Sequence, residues 1–162
     1  MDWNRLYELQ FELDERIMQS LSKSRSEIYL DKVLALMVEV GELANETRCF
    51  KYWSQRAASS REIILEEYVD GVHFILSLGL DYDYRYNEHK LDLPRVQLLT
   101  EGFHLVYNRI EQFKQAPLES HYLQLMNAYL ALGELLSFST DEVVNAYLEK
   151  NEENHQRQEQ GY

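Results

Sequence analysis

The chain is short of residues that break or reverse a backbone: 162 residues include only 6 glycines and 2 prolines. So few breakers exclude a many-stranded β protein with its frequent tight turns, and a disordered chain as well. Cysteine occurs once, at Cys49, which leaves no internal disulfide and leads us to expect a reducing, cytoplasmic setting. No stretch approaches the ~18 uncharged apolar residues of a membrane span. Met1 to Arg5 lacks the apolar run of a signal peptide. Positive charge is in deficit, with 16 lysines and arginines against 28 aspartates and glutamates, a net −12. That balance excludes an extended contact with DNA or RNA phosphates. A compact anion held through a metal ion stays open. The length suits one domain with a sizeable core.

What is present is helical spacing of apolar residues over most of the chain, which predicts an all-α fold of about six helices. The first runs from Asp2, an N-cap, to about Leu21, with Leu6, Leu9, Leu13 and Ile17 on one stripe. The second begins near Glu27 and ends near Arg48 to Phe50. Its apolar surface on every side predicts the central helix of the bundle. Lys51 to Ser60 reads as a loop, closed by a Ser59/Glu62 capping-box pattern that opens the third helix, with Gly79 as its stop. Asp81 to Asn87 is an irregular connection. The fourth helix fits Val96 to Gln115, the fifth Leu118 to Leu136, and the sixth starts at Asp141. Residues 1–150 then form the domain. Residues 151–162 lack apolar content and are expected to be a tail that orders only against something else.

The chemistry lies inside the two most apolar helices. Glu39, Glu42 and Glu46, at i, i+3 and i+7, share one face of the second, and Glu67 and Asp70 sit at i, i+3 on the third, beside Glu66. If the two helices pack antiparallel, the acidic patches meet. Carboxylates facing one another among apolar side chains would repel and lose hydration, so either some are protonated or a cation neutralises them. An all-oxygen set without His or Cys in register suits Mg²⁺, or Mn²⁺ as a substitute, before Zn²⁺. Mg²⁺ is commonly completed by substrate phosphates, which points to phosphoryl chemistry. Isolated glutamate pairs at this spacing are common on solvated helix faces; the pattern's weight comes from its doubling within apolar helices.

At these residues the sequence resembles the dimeric dUTPases of the all-α, MazG-like nucleoside triphosphate pyrophosphohydrolases. The superfamily mark is ExxE followed by ExxD, here Glu39-Val40-Gly41-Glu42 and Glu67-Tyr68-Val69-Asp70. The dUTPase branch is favoured by Phe50-Lys51-Tyr52-Trp53, by Gln10-Phe11-Glu12-Leu13-Asp14, and by an ending that runs from Tyr147-Leu148-Glu149-Lys150 to Gly161-Tyr162. Residues 80 to 138 add only a compatible helical pattern. The resemblance implies a homodimer with a central metal-binding helix pair. Its activity would be Mg²⁺-dependent hydrolysis of dUTP, with dUDP also accepted, to dUMP. Glu39, Glu42, Glu67 and Asp70 would hold the metal, with Glu39 or Glu46 as the base. Gln10 and Asp14 would line the base pocket, Trp53 would wall the uracil, and Lys51 would join the substrate contacts. Lys150, Asn154 and Arg157 would close over the nucleotide; at i, i+4 and i+7 they share one face of a helical tail. The fourth and fifth helices are expected to supply the dimer surface. His73 reads as a core histidine with a satisfied ring nitrogen.

Two other readings fit the same residues. One is a relative cleaving dCTP or a non-canonical nucleotide, and the other a non-enzymatic helical interaction module. Neither a nucleic-acid polymer nor a membrane is expected as a partner.

Overall fold

A computed structural model describes residues 1–161; Tyr162, the last residue of the expected tail, lies outside the described residues. Six α-helices and one short 3₁₀ turn account for its regular structure, with no strand among the described residues. Helix α1 spans Trp3–Ser20 and is capped by Asp2, whose carboxylate accepts the Arg5 N–H at 3.1 Å. Helix α2 is Tyr29–Thr47, α3 Arg61–Asp81, α4 Leu99–Gln115, α5 Glu119–Leu135 and α6 Thr140–Glu159; the 3₁₀ turn is Glu88–Lys90. Ser139 caps α6 in a reciprocal box with Glu142, as Ser-x-x-Glu spacing permits. The same spacing at Ser59 and Glu62 does not make a box. Ser60 is the cap residue of α3, because the Ser59 hydroxyl donates instead to the Glu46 carboxylate. Helix α6 runs unbroken through residue 150 to Glu159, so the segment from Asn151 is continuous with the bundle and Asn151 itself is buried.

The central helix is α3, not α2. It packs against α1, α2, α5 and α6, while α4 pairs with α5 and α2. From Tyr68 to Gly79 it buries every residue but Asp70 and Phe74. Helix α2 buries Val33, Leu36, Val40 and Leu43, yet leaves Leu30, Leu34 and Val38 exposed at 64%, 61% and 47%. Those three, at i, i+4 and i+8, form an uncovered apolar stripe. An apolar circumference marks a helix that is covered somewhere; here the cover on one side is absent from the single chain.

Gly79 does not stop α3, which continues to Asp81. It is a contact point: a Cβ there would lie 2.4 Å from the Tyr122 hydroxyl oxygen. Gly71 serves the same end, since a Cβ would lie 2.0 Å from the Tyr129 hydroxyl oxygen. With that space free, Tyr129 stacks on Tyr68 with centroids 4.8 Å apart and donates to the Tyr68 carbonyl at 2.8 Å. Full burial of Tyr7, Tyr68, Tyr86, Tyr122, Tyr129 and Tyr147 gives the core large apolar area, with hydroxyls paired inside it. No helix is long and apolar enough to cross a membrane among the described residues.

Candidate active site

Antiparallel packing of α2 on α3 brings acidic side chains from both helices together. One carboxylate oxygen each of Glu39, Glu67 and Asp70 lies within 4.8 Å of the others. All three are half-buried. Burial first, then the charges of Asp70, Glu42 and Glu67, push the Glu39 carboxyl up to about 7. Burial, then Glu42, Asp70 and Glu66, push Glu67 up to about 7 as well. Asp70 is also raised by burial, although Lys150 beside it pulls the other way. Carboxyls held protonated at such pH are only partly compensated by Lys150, and this oxygen-only donor set at this separation fits a hard divalent ion.

Glu42 is felt by Glu39 and Glu67 but is exposed and stands outside the three-way convergence. Glu46 turns toward the loop after α2. Its carboxylate accepts the Ser59 hydroxyl and, at 3.3 Å, the Asn45 amide, while its carbonyl accepts the Ser59 N–H at 3.0 Å.

Beside the carboxylates opens a cavity of about 330 Å³ between α1, α2, α3 and α6. Of the residues singled out in the sequence, Gln10, Asp14, Glu39, Asp70, Lys150, Asn154 and Arg157 line it. Contributions thus come from both ends of the chain and from the two acidic helices. Gln10 and Asp14 are 3% and 5% exposed, so they belong to a built interior and not to a polar helix face. The Gln10 carbonyl oxygen accepts from Tyr147 at 2.9 Å and from His73 Nδ1 at 2.8 Å, and its amide donates to Asp14 at 2.8 Å. The other Asp14 oxygen accepts the Ser77 hydroxyl at 2.6 Å. Burial raises the Asp14 carboxyl, with Lys32, Ser77, Gln10 and Arg25 opposing it.

Lys51 and Trp53 are not brought to this cavity. The Lys51 ammonium bonds the Asn45 side-chain oxygen and lies over the Phe50 ring, 5.5 Å from its centroid. Trp53 packs edge-on against Phe50 and Tyr52 and is 65% exposed.

Among the cavity residues not assigned to the site from the sequence are His73 and Lys32. His73 is buried and stacks on Tyr147 at 4.0 Å; only one ring nitrogen is bonded, Nε2 having no hydrogen-bond partner. Burial pushes its pKa down to about 3, so the ring is neutral. Its place one turn after Asp70 was the available signal. Lys32 reaches the cavity from α2 while bonding Asp81 at 2.7 Å, a pairing across the fold that no local spacing displays.

An all-helical scaffold whose carboxylates meet beside a cavity carrying Lys150, Asn154 and Arg157 is compatible with one class of enzyme, hydrolases of phosphoanhydride bonds assisted by divalent ions. Within that class, a protein-family model described as dUTPase matches residues 2–162, and the chain belongs to this family of dUTP-hydrolysing enzymes. No curated protein matches the chain.

Proposed function

We propose that the protein is a Mg²⁺-dependent dUTP diphosphatase, also accepting dUDP, that keeps uracil out of DNA in the cytoplasm. The observation that carries the metal assignment is the meeting of Glu39, Glu67 and Asp70 at the cavity edge. Those three would hold the metal, with Glu42 completing its shell from the exposed side. When bound, Mg²⁺ supplies Lewis-acid polarisation of a phosphoryl oxygen and a lowered pKa for bound water.

The chain's own groups do the rest. Glu46, whose carboxylate already accepts the Ser59 hydroxyl, or Glu39 would accept the proton of the attacking water. Lys150 and Arg157 would neutralise phosphate charge, Arg157 by its planar fork. Asn154 sits between them on the same face of α6, suited to sugar or base. Gln10 and Asp14 would present the base pocket with polarity already fixed by Tyr147, His73 and Ser77. A pocket of fixed donors and acceptors rejects a pyrimidine that leaves them unpaired. Lys51 and Trp53 would reach the nucleotide by inward movement of the loop that carries them. The far end of α6 would close over the bound nucleotide and exclude water.

Helices α4 and α5 bury their apolar faces within the chain, at Phe103, Val106, Ile110, Phe113, Leu125, Met126 and Leu132. The exposed Leu30–Leu34–Val38 stripe of α2 is the apolar face we assign to the homodimer. Turnover of a nucleotide panel with Mg²⁺ tests the substrate: dUTP should be hydrolysed far faster than dCTP or dTTP. Equal rates for dUTP and dCTP would contradict the uracil assignment.

A further inference from the structure

The acid cluster already has a cation in contact with it. The Lys150 ammonium lies 2.9 Å from an Asp70 carboxylate oxygen and 2.8 Å from Glu66 Oε1, with Glu153 at 4.0 Å. Its side chain is only 10% exposed, while Glu66 is 55% exposed and outside the convergence of Glu39, Glu67 and Asp70. The charge of Lys150 also reaches Glu39 and Glu67, opposing the upward shift in both. One lysine therefore partly compensates several carboxylates. A divalent ion and an ammonium pressed on the same carboxylate repel each other strongly in a half-buried setting.

We infer that Lys150 is a tethered counter-cation for Asp70, which it releases when a divalent ion binds, so that its next anionic partner is the nucleotide's phosphate. The inference rests on the metal reading above. Glu66 gives the released ammonium a second anchor, and the flexible four-carbon stem lets it turn toward the cavity that Lys150 shares with Asn154 and Arg157. Metal then prepares α6 for substrate, and the metal-free site is partly neutralised by the chain itself. Lys150 would do two jobs in sequence, first standing in for the metal and then binding beside it.

The test is Mn²⁺ binding without nucleotide, followed by electron paramagnetic resonance of the free ion, in wild type and Lys150→Met. Methionine keeps much of the stem and removes the charge. The variant should bind Mn²⁺ about tenfold more tightly, the size of an ordinary coupling between two sites, while its affinity for dUMP falls. Unchanged or weaker Mn²⁺ binding by a folded variant overturns the inference. Absence of Mn²⁺ binding by wild type overturns the metal reading itself and this inference with it. A second measurement avoids the variant: in wild type with ¹³C-labelled lysine, the Lys150 ε-methylene resonance, assigned through Lys150→Arg, should shift on adding Mg²⁺ alone. A resonance that stays put at saturating Mg²⁺ contradicts the release.

Discussion

At Glu39 and Glu67, burial and like charge hold the carboxyls protonated up to about pH 7, against 4.5 for an ordinary glutamate. In chelator, the folded chain therefore binds more protons than the unfolded chain between those two values. Stability should fall as pH rises across that window, and the loss should be complete above about 7. Melting temperatures in chelator should decline from pH 5 to 7, flatten in Glu39→Gln, and lose the slope when Mg²⁺ is added; a rise over the same range would contradict the convergence. Asp70→Asn should lower dUTP turnover more than ~100-fold, beyond the usual loss from an outer-shell change, while circular dichroism and melting remain intact. These carboxylates were legible because two apolar helices give acidic residues at i, i+3 few reasons to be there. Glu42 was readable as part of the same pattern, but which side of a helix faces its neighbour depends on packing, and Glu42 faces solvent. Gln10 and Asp14 showed as motif residues only; their burial comes from contacts with Ser77 and Tyr147, 63 and 137 residues away.

At the scale of the element, α3 is held in place by glycines that admit tyrosine rings. Gly71→Ala should destabilise the protein by roughly 1–3 kcal/mol, the usual cost of overpacking, read as a lower denaturation midpoint. A neutral effect would mean that Tyr129 can move aside. Helix positions could be read from periodicity because apolar stripes and the Ser139/Glu142 cap are local features. The centrality of α3 could not, since the partners of an apolar surface are decided by the whole bundle. Similarly, Gly79 looked like a stop until the Tyr122 ring was seen against it. The loop after α2 carries Trp53 in the open, whereas the other tryptophan, Trp3, is buried at 7% exposure. Adding dUMP with Mg²⁺ should therefore change Trp53 emission if the loop moves inward, and Trp53→Phe should abolish the change. An unchanged spectrum would remove Trp53 from the substrate contacts.

On the scale of the whole molecule, both ends of the chain meet at one cavity. Arg16 of α1 bonds Glu159 of α6 at 3.1 Å, which ties the end of α6 to the helix that carries Gln10 and Asp14. Such a meeting has no trace in spacing, because it joins residues 143 apart in sequence. In the proposed homodimer the uncovered α2 stripe would form the interface. Leu34→Glu should convert a dimer to monomer in sedimentation, and a dimer that persists would place the interface elsewhere. In the proposed reaction, carboxylates of α2 and α3 would hold a divalent ion that assists cleavage of a phosphoanhydride of dUTP. Release of pyrophosphate from dUTP, with Mg²⁺ and with chelator, measures it most directly. We predict rapid release that requires Mg²⁺ and is lost in Glu67→Gln; undiminished release in chelator would contradict it.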